Sequence, residues 1–163
     1  MNNNVIEVFK IIVKNKYNGV PPTKPDLDDL STAYCNAYKI SNVADNYHNL
    51  GKSSFKEDTW FNPPEGNDVK HLLCKAVISA HANKVTIVGV VRANTETQWW
   101  ADYCKYADVT FITGRISLEH IKYVDDNEYV ISDPAPVAVL VFRPDVYINP
   151  PRISTLDIRN LNC

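Results

Sequence analysis

An α/β domain built on a parallel sheet is the fold class this sequence predicts, and three observations carry the prediction. Short apolar runs of strand length recur along the chain: "TWFN" (59–62), "KVTIVGVV" (84–91), "VTFIT" (109–113) and "VAVLVF" (137–142). Stretches of helical character separate the first three. Val69, Leu72, Leu73, Ala76, Val77 and Ala80 form one apolar stripe, and "TETQWWADYCKYA" (95–107) offers Thr95 as a helix cap with Glu96 close behind. The run "KVTIVGVV", bounded by Asn83 and Arg92, is a predominantly apolar run of strand length, of the kind found when helices cover both faces of the sheet. Strand, helix, strand, helix, strand is the βαβ signature.

The other segments are less regular. Val5, Phe9, Ile12 and Val13 recur at helical spacing with Glu7, Lys10 and Lys14 between them, which predicts an amphipathic opening helix, although the β-branched residues leave a strand open. "NGVPPTKPD" (18–26) breaks regular structure with three prolines and a glycine. Residues 26–58 are polar and weakly periodic and predict short helices and loops. The segment 145–163 reads as an irregular tail. The whole, 1–163, is read as a single domain, with 1–25 as helix and linker.

Composition excludes several classes of function. The net charge is −2, so any grip on nucleic-acid phosphates must come from a local patch or a partner chain. Cys35, Cys74, Cys104 and Cys163 form no CxxC pair and read as free thiols in a reducing compartment. "MNNNVIEVFK" has neither a long apolar run nor a basic start, so neither a signal peptide nor a membrane span is expected, and the chain reads as cytoplasmic. There is no GxGxxG and no GxSxG. Gly51-Lys52-Ser53 ends like a phosphate-binding loop, but Asn46 stands where that loop needs its first glycine. The four histidines, His48, His71, His81 and His120, lack metal-site spacing, and no metal is expected.

Asn62-Pro63-Pro64 can be chemistry because of where it falls. In doubly wound sheets ligands bind outside the carboxyl ends of the strands, and this tripeptide follows one. Two prolines fix φ and remove both backbone donors, leaving carbonyl acceptors on a stiff segment. An asparagine side-chain oxygen and such a carbonyl suit the two hydrogens of a substrate –NH2. Holding both would aim the nitrogen lone pair at an electrophile. A second copy, Asn149-Pro150-Pro151, lies in the tail and reads as a turn.

Taken in order, "TWFNPPEG", "LLCKAV", "KVTIVGVVRANTETQWWADYCKYADVTFITGRISLE" and "APVAVLVFRP" resemble the phage-type DNA N-6-adenine methyltransferase family, over residues 58–144. The resemblance implies a Rossmann-like S-adenosylmethionine-dependent methyltransferase fold, compact at its N-terminus. It also implies S-adenosyl-L-methionine as donor, adenine in DNA as acceptor, and the cytoplasm of a bacterial host. By the matching motif, Asn62, Pro63 and Pro64 would hold the target amine. The acidic segment "PDLDD" would bring Asp26 and Asp28 to the donor, with Asp45 and Asn46 toward its adenosine end. Trp60, Phe61, Glu65, Asn94 and Arg115 become candidates for substrate contact. Trp99 and Trp100 match the same pattern, and core aromatics are the preferred reading for them.

Three features depart from the family pattern. Glu65 occupies the position of an aromatic that stacks on the flipped base, a contact worth on the order of 1–3 kcal/mol. Only "VPPTKPD" stands where a further cofactor motif is usual. There is no basic run to offset the cost of extracting a base from a duplex. The alternatives left open are a catalytically inactive binding module, a homo- or hetero-oligomer whose partner subunit completes the site, and transfer to RNA or a small-molecule amine.

Overall fold

The structure, a computed structural model, describes residues 27–44, 54–61, 68–113 and 116–157. In chain order its elements are α1 (Leu27–Tyr38), β1 (Asn42–Ala44), β2 (Thr59–Phe61), α2 (Asp68–Asn83), β3 (Ile87–Arg92) and α3 (Gln98–Tyr103). A 3-10 turn (Cys104–Tyr106) then leads to β4 (Asp108–Thr113), β5 (Ile116–Val124), β6 (Asn127–Ala135), β7 (Val137–Phe142) and β8 (Ile153–Asp157). The stretch expected to form the opening helix lies outside the described residues. No helix among those described is long and apolar enough to cross a membrane.

Six strands form one mixed sheet in the order β1-β2-β3-β7-β4-β8. β1, β2 and β3 are parallel; β7 runs against both β3 and β4, and β8 is parallel to β4. Five strands therefore share one direction and β7 opposes them, which corrects the expected all-parallel sheet. The reason is the connection. Between β4 and β7 the chain forms a two-stranded ribbon, β5–β6, and without a helical crossover the returning strand pairs antiparallel.

Helices cover both faces. On one, α1 places Ala33 and Tyr34 against Trp60, Val88, Val90, Val139 and Val141. On the other, α2 buries Leu72, Leu73, Ala76 and Ala80 against Phe61, Ile87, Val91 and Leu140. β7 is buried at every position, as a central strand between two helical layers must be. Gly89 sits opposite Phe61 in the ladder, and a Cβ there would collide with the Phe61 ring, so the sheet needs glycine at this position.

Residues expected to be an irregular tail add the edge strand β8. Arg143 holds the intervening turn. Its Nε and Nη2 donate to the Asp108 carboxylate at 2.7 and 3.1 Å, and Nη1 donates to Asp145 at 2.7 Å. Nη2 also reaches the carbonyls of Asn149 and Pro150 at 2.9 and 3.3 Å. Asn149 in turn donates to Asp145 at 2.7 Å, so the second Asn-Pro-Pro is part of this structural turn.

Candidate functional site

β2 is only three residues long, and its position is fixed by side chains around its entrance. Asp58 accepts from the Thr86 amide at 2.8 Å, tying the start of β2 to the start of β3. Asn42 donates to the Thr59 hydroxyl at 2.9 Å, which itself donates to the Glu57 carbonyl at 2.8 Å. From α2, Ser79 accepts the Phe55 amide at 2.9 Å and Asn83 donates to the Phe55 carbonyl at 2.6 Å. The Lys75 ammonium lies 4.3 Å from the centre of the Phe55 ring, and burial lowers its pKa. The point at which the chain leaves β2, at Phe61, is therefore firmly set.

That exit is one of several at the same edge. The chain leaves β1 at Ala44, β2 at Phe61, β3 at Arg92 and β4 at Thr113, and all four strands point the same way. α1 runs against them: Tyr34 lies beside Thr110 and, one turn later, Tyr38 beside Asp108 at the start of β4. The seven steps from Leu27 to Tyr34 span about 10 Å of helix, and the three steps from Thr110 to Thr113 about 10 Å of strand. The first turn of α1, which contains Asp28, is thus level with the carboxyl edge.

Trp60 and Phe61 are described fully, and neither presents a free ring face. Trp60 is 1% exposed and packs at 6.0 Å from Tyr34; Phe61 is 0% exposed and fills the space over Gly89. They are core residues on opposite faces of the sheet. Asn94, two residues beyond β3, is half-buried at the carboxyl edge. Its amide donates to the Arg92 carbonyl at 2.8 Å and its own carbonyl accepts from the Thr97 hydroxyl at 2.7 Å. Its carboxamide makes no hydrogen bond among the described residues.

The helix cap is Thr97, not Thr95. Thr97 has extended backbone, and its hydroxyl accepts from the Trp100 amide at 3.4 Å. Trp99 and Trp100 are half-buried, with Trp100 stacked on Phe111 at 5.9 Å, in keeping with the core role preferred for them. Asp26, Asp45, Asn46, Asn62, Pro63, Pro64, Glu65 and Arg115 lie outside the described residues. In sequence, Asp45, Asn62 and Arg115 immediately or nearly follow the ends of β1, β2 and β4.

The sequence reading missed a polar cleft of about 450 Å³ at the opposite, amino edge, between the last turn of α1 and the starts of β4 and β8. Its only forewarning was Tyr34 and Tyr38 one helical turn apart in an otherwise polar stretch. Cys104 is a buried thiol whose pKa burial pushes up to about 12, which suits packing and not nucleophilic attack.

No protein-family model matches the chain, and no curated protein matches it. Among solved structures it is similar to a precorrin 8w decarboxylase of Methanobacterium thermoautotrophicum, at 14% identity and a TM-score of 0.32 over 60% of this chain. The chain spans 51% of that protein. So distant a likeness carries no argument about activity. What stands on the sheet topology is an α/β fold with a mixed six-stranded sheet covered by helices on both faces.

Proposed function

We propose that the chain transfers the methyl group of S-adenosylmethionine to the exocyclic amine of adenine in DNA, as a Rossmann-like methyltransferase. The observation that carries the reading is convergence. The segments singled out for donor and amine contact, dispersed between residues 26 and 115, continue from element ends that lie at one edge of the sheet. Ligands of doubly wound sheets bind outside that edge. The strands named by the family resemblance also form one uninterrupted block, β2-β3-β7-β4.

The donor, when bound, supplies an electrophilic methyl on a sulfonium. The residue types singled out fit such a group chemically: the carboxylates of Asp26, Asp28 and Asp45 would accept ribose hydroxyl or ammonium hydrogens, and Asn94, half-buried at this edge, has a carboxamide that makes no hydrogen bond among the described residues. Asn62 Oδ1 and a carbonyl of the Pro63-Pro64 segment accept the two amine hydrogens and so orient the nitrogen lone pair. As the new N–C bond forms, the S–C bond of the donor breaks with its electron pair left on sulfur as a thioether, and one amine proton is released to water. A stiff pair of acceptors makes no demand for a strong base, and alignment of this kind is worth several kcal/mol.

The test is incubation with methyl-labelled S-adenosylmethionine and adenine-containing DNA. Label is expected on the adenine amine, with Asn62→Ala reducing the rate by about a hundredfold or more. Equal labelling by both proteins would remove Asn62 from the mechanism. One observation favours a second reading, transfer to a small amine acceptor. Glu65 replaces the stacking aromatic, and Trp60 and Phe61 are buried and have no free face to substitute for it. Under the DNA reading Glu65→Tyr raises DNA methylation; under the second it does not.

A further inference from the structure

The cleft at the amino edge has a built interior. Arg143, Asp108 and Asp145 form a fixed ion-paired row, with the Arg143, Asp108 and Asp145 side chains 21%, 24% and 46% exposed. Each Asp145 oxygen accepts one hydrogen bond, from Arg143 and from Asn149, and therefore keeps acceptor capacity. Thr110 and Ser154 share a hydrogen bond of 3.0 Å on the floor, which leaves one of the two hydroxyl hydrogens uncommitted. Tyr38, stacked parallel on Tyr34 with ring centres 6.2 Å apart, lines one wall.

Tyr34 is the telling residue. It is 2% exposed and lines the cleft, and among the described residues its hydroxyl makes no well-formed hydrogen bond, although the Thr110 hydroxyl stands beside it. Leaving such a group buried without a well-formed hydrogen bond is costly, so a polar ligand that meets it recovers that cost. Burial pushes its pKa up to about 12, which keeps it protonated and able to donate near neutrality.

The charges of the lining decide the ligand class. Asp108 and Asp145 are balanced by Arg143 and Arg152, so the cleft is neutral in sum and has no excess of cation for a phosphate. What it offers is an aromatic wall, the spare acceptor capacity of the Asp145 carboxylate, and hydroxyls at the bottom. That combination suits vicinal hydroxyls on a neutral ring. We propose that this cleft binds a neutral sugar ring, either a free sugar or the ribose of a nucleoside, at the edge of the sheet opposite the proposed transfer site. The proposal does not depend on that site's activity.

Amide shifts of the full-length chain, recorded while adding ribose, adenosine or inorganic phosphate separately, test it. Saturable shifts at Tyr34, Thr110 and Ser154 are expected with ribose or adenosine. Ribose alone sufficing identifies a free-sugar site, and a response to adenosine only identifies a nucleoside site. Tyr34→Phe should weaken this binding by about five- to tenfold, without lowering the unfolding midpoint, because the lost hydroxyl makes no well-formed hydrogen bond among the described residues. Ser154→Ala, at a half-buried position, gives an independent variant with the same expected direction. Tighter binding of phosphate than of either sugar probe, no saturable shift at these residues, or unchanged affinity in both variants would overturn the proposal.

Discussion

Arg143 joins the start of β4 to the turn that follows β7, and its partners make a titration expectation possible. Asp145 is held below its ordinary value of 3.8, first by the hydrogen bond from Asn149 and then by Arg143, against an opposing effect of burial. A carboxyl with a depressed folded pKa stabilises the fold above its unfolded value, and that contribution is lost as pH falls through the folded value. Stability is therefore expected to be insensitive to this group above about pH 5 and to decline as pH drops below 3.8. Asp145→Asn should flatten the acid limb of urea midpoints measured against pH, relative to the unmodified chain. The side chain is 46% exposed and screened by solvent, so the effect is expected to be small. Nothing in the sequence pointed to this cluster, because Asp108, Arg143 and Asp145 become neighbours only once β4 and β7 pair. The helix cap was misplaced for a related reason: Thr95 and Thr97 are both plausible caps, and the turn after Asn94 selects the second.

Legibility of an element followed its burial. "TWFN", "KVTIVGVV", "VTFIT" and "VAVLVF" were recognisable because β2, β3 and β7 are covered on both faces and β4 is partly covered, which favours runs dominated by apolar residues. β8 escaped notice because only Leu156 is buried, and Ile153 is 76% exposed. The β5–β6 ribbon escaped because its turn lacks the Asn-Gly or Asp-Gly that marks a two-residue hairpin. Asp125 and Asp126 take that turn with φ of 50° and 61°, and Val124 pairs with Asn127 across it. A non-glycine residue in this region is strained, so Asp126→Gly should stabilise the ribbon locally by about 0.5–1 kcal/mol. Hydrogen exchange of the ribbon amides is the suitable measurement, since it reports opening of this element by itself. Slower exchange confined to 116–135 is expected, and unchanged exchange would show that the turn is not limiting.

At the scale of the molecule, the direction of β7 was the main feature the sequence could not supply. Apolar periodicity identifies a strand but not its sense, and only the ribbon connection determines that β7 returns antiparallel. The candidate site was legible as a set of segments, and its assembly required the topology. β1, β2, β3 and β4 all end at one edge, with the start of α1 level with it, while the polar cleft occupies the other. The central claim is that the methyl donor binds at the carboxyl edge. Its most direct test is a map of amide shifts on adding S-adenosylmethionine to the full-length chain. Saturable changes are expected at Ala44, Phe61, Arg92, Asn94 and Thr113, the ends of the four strands and the turn beyond β3. Changes confined to Tyr34, Asp108 and Ser154 at the opposite edge, or no saturable change anywhere, would contradict it.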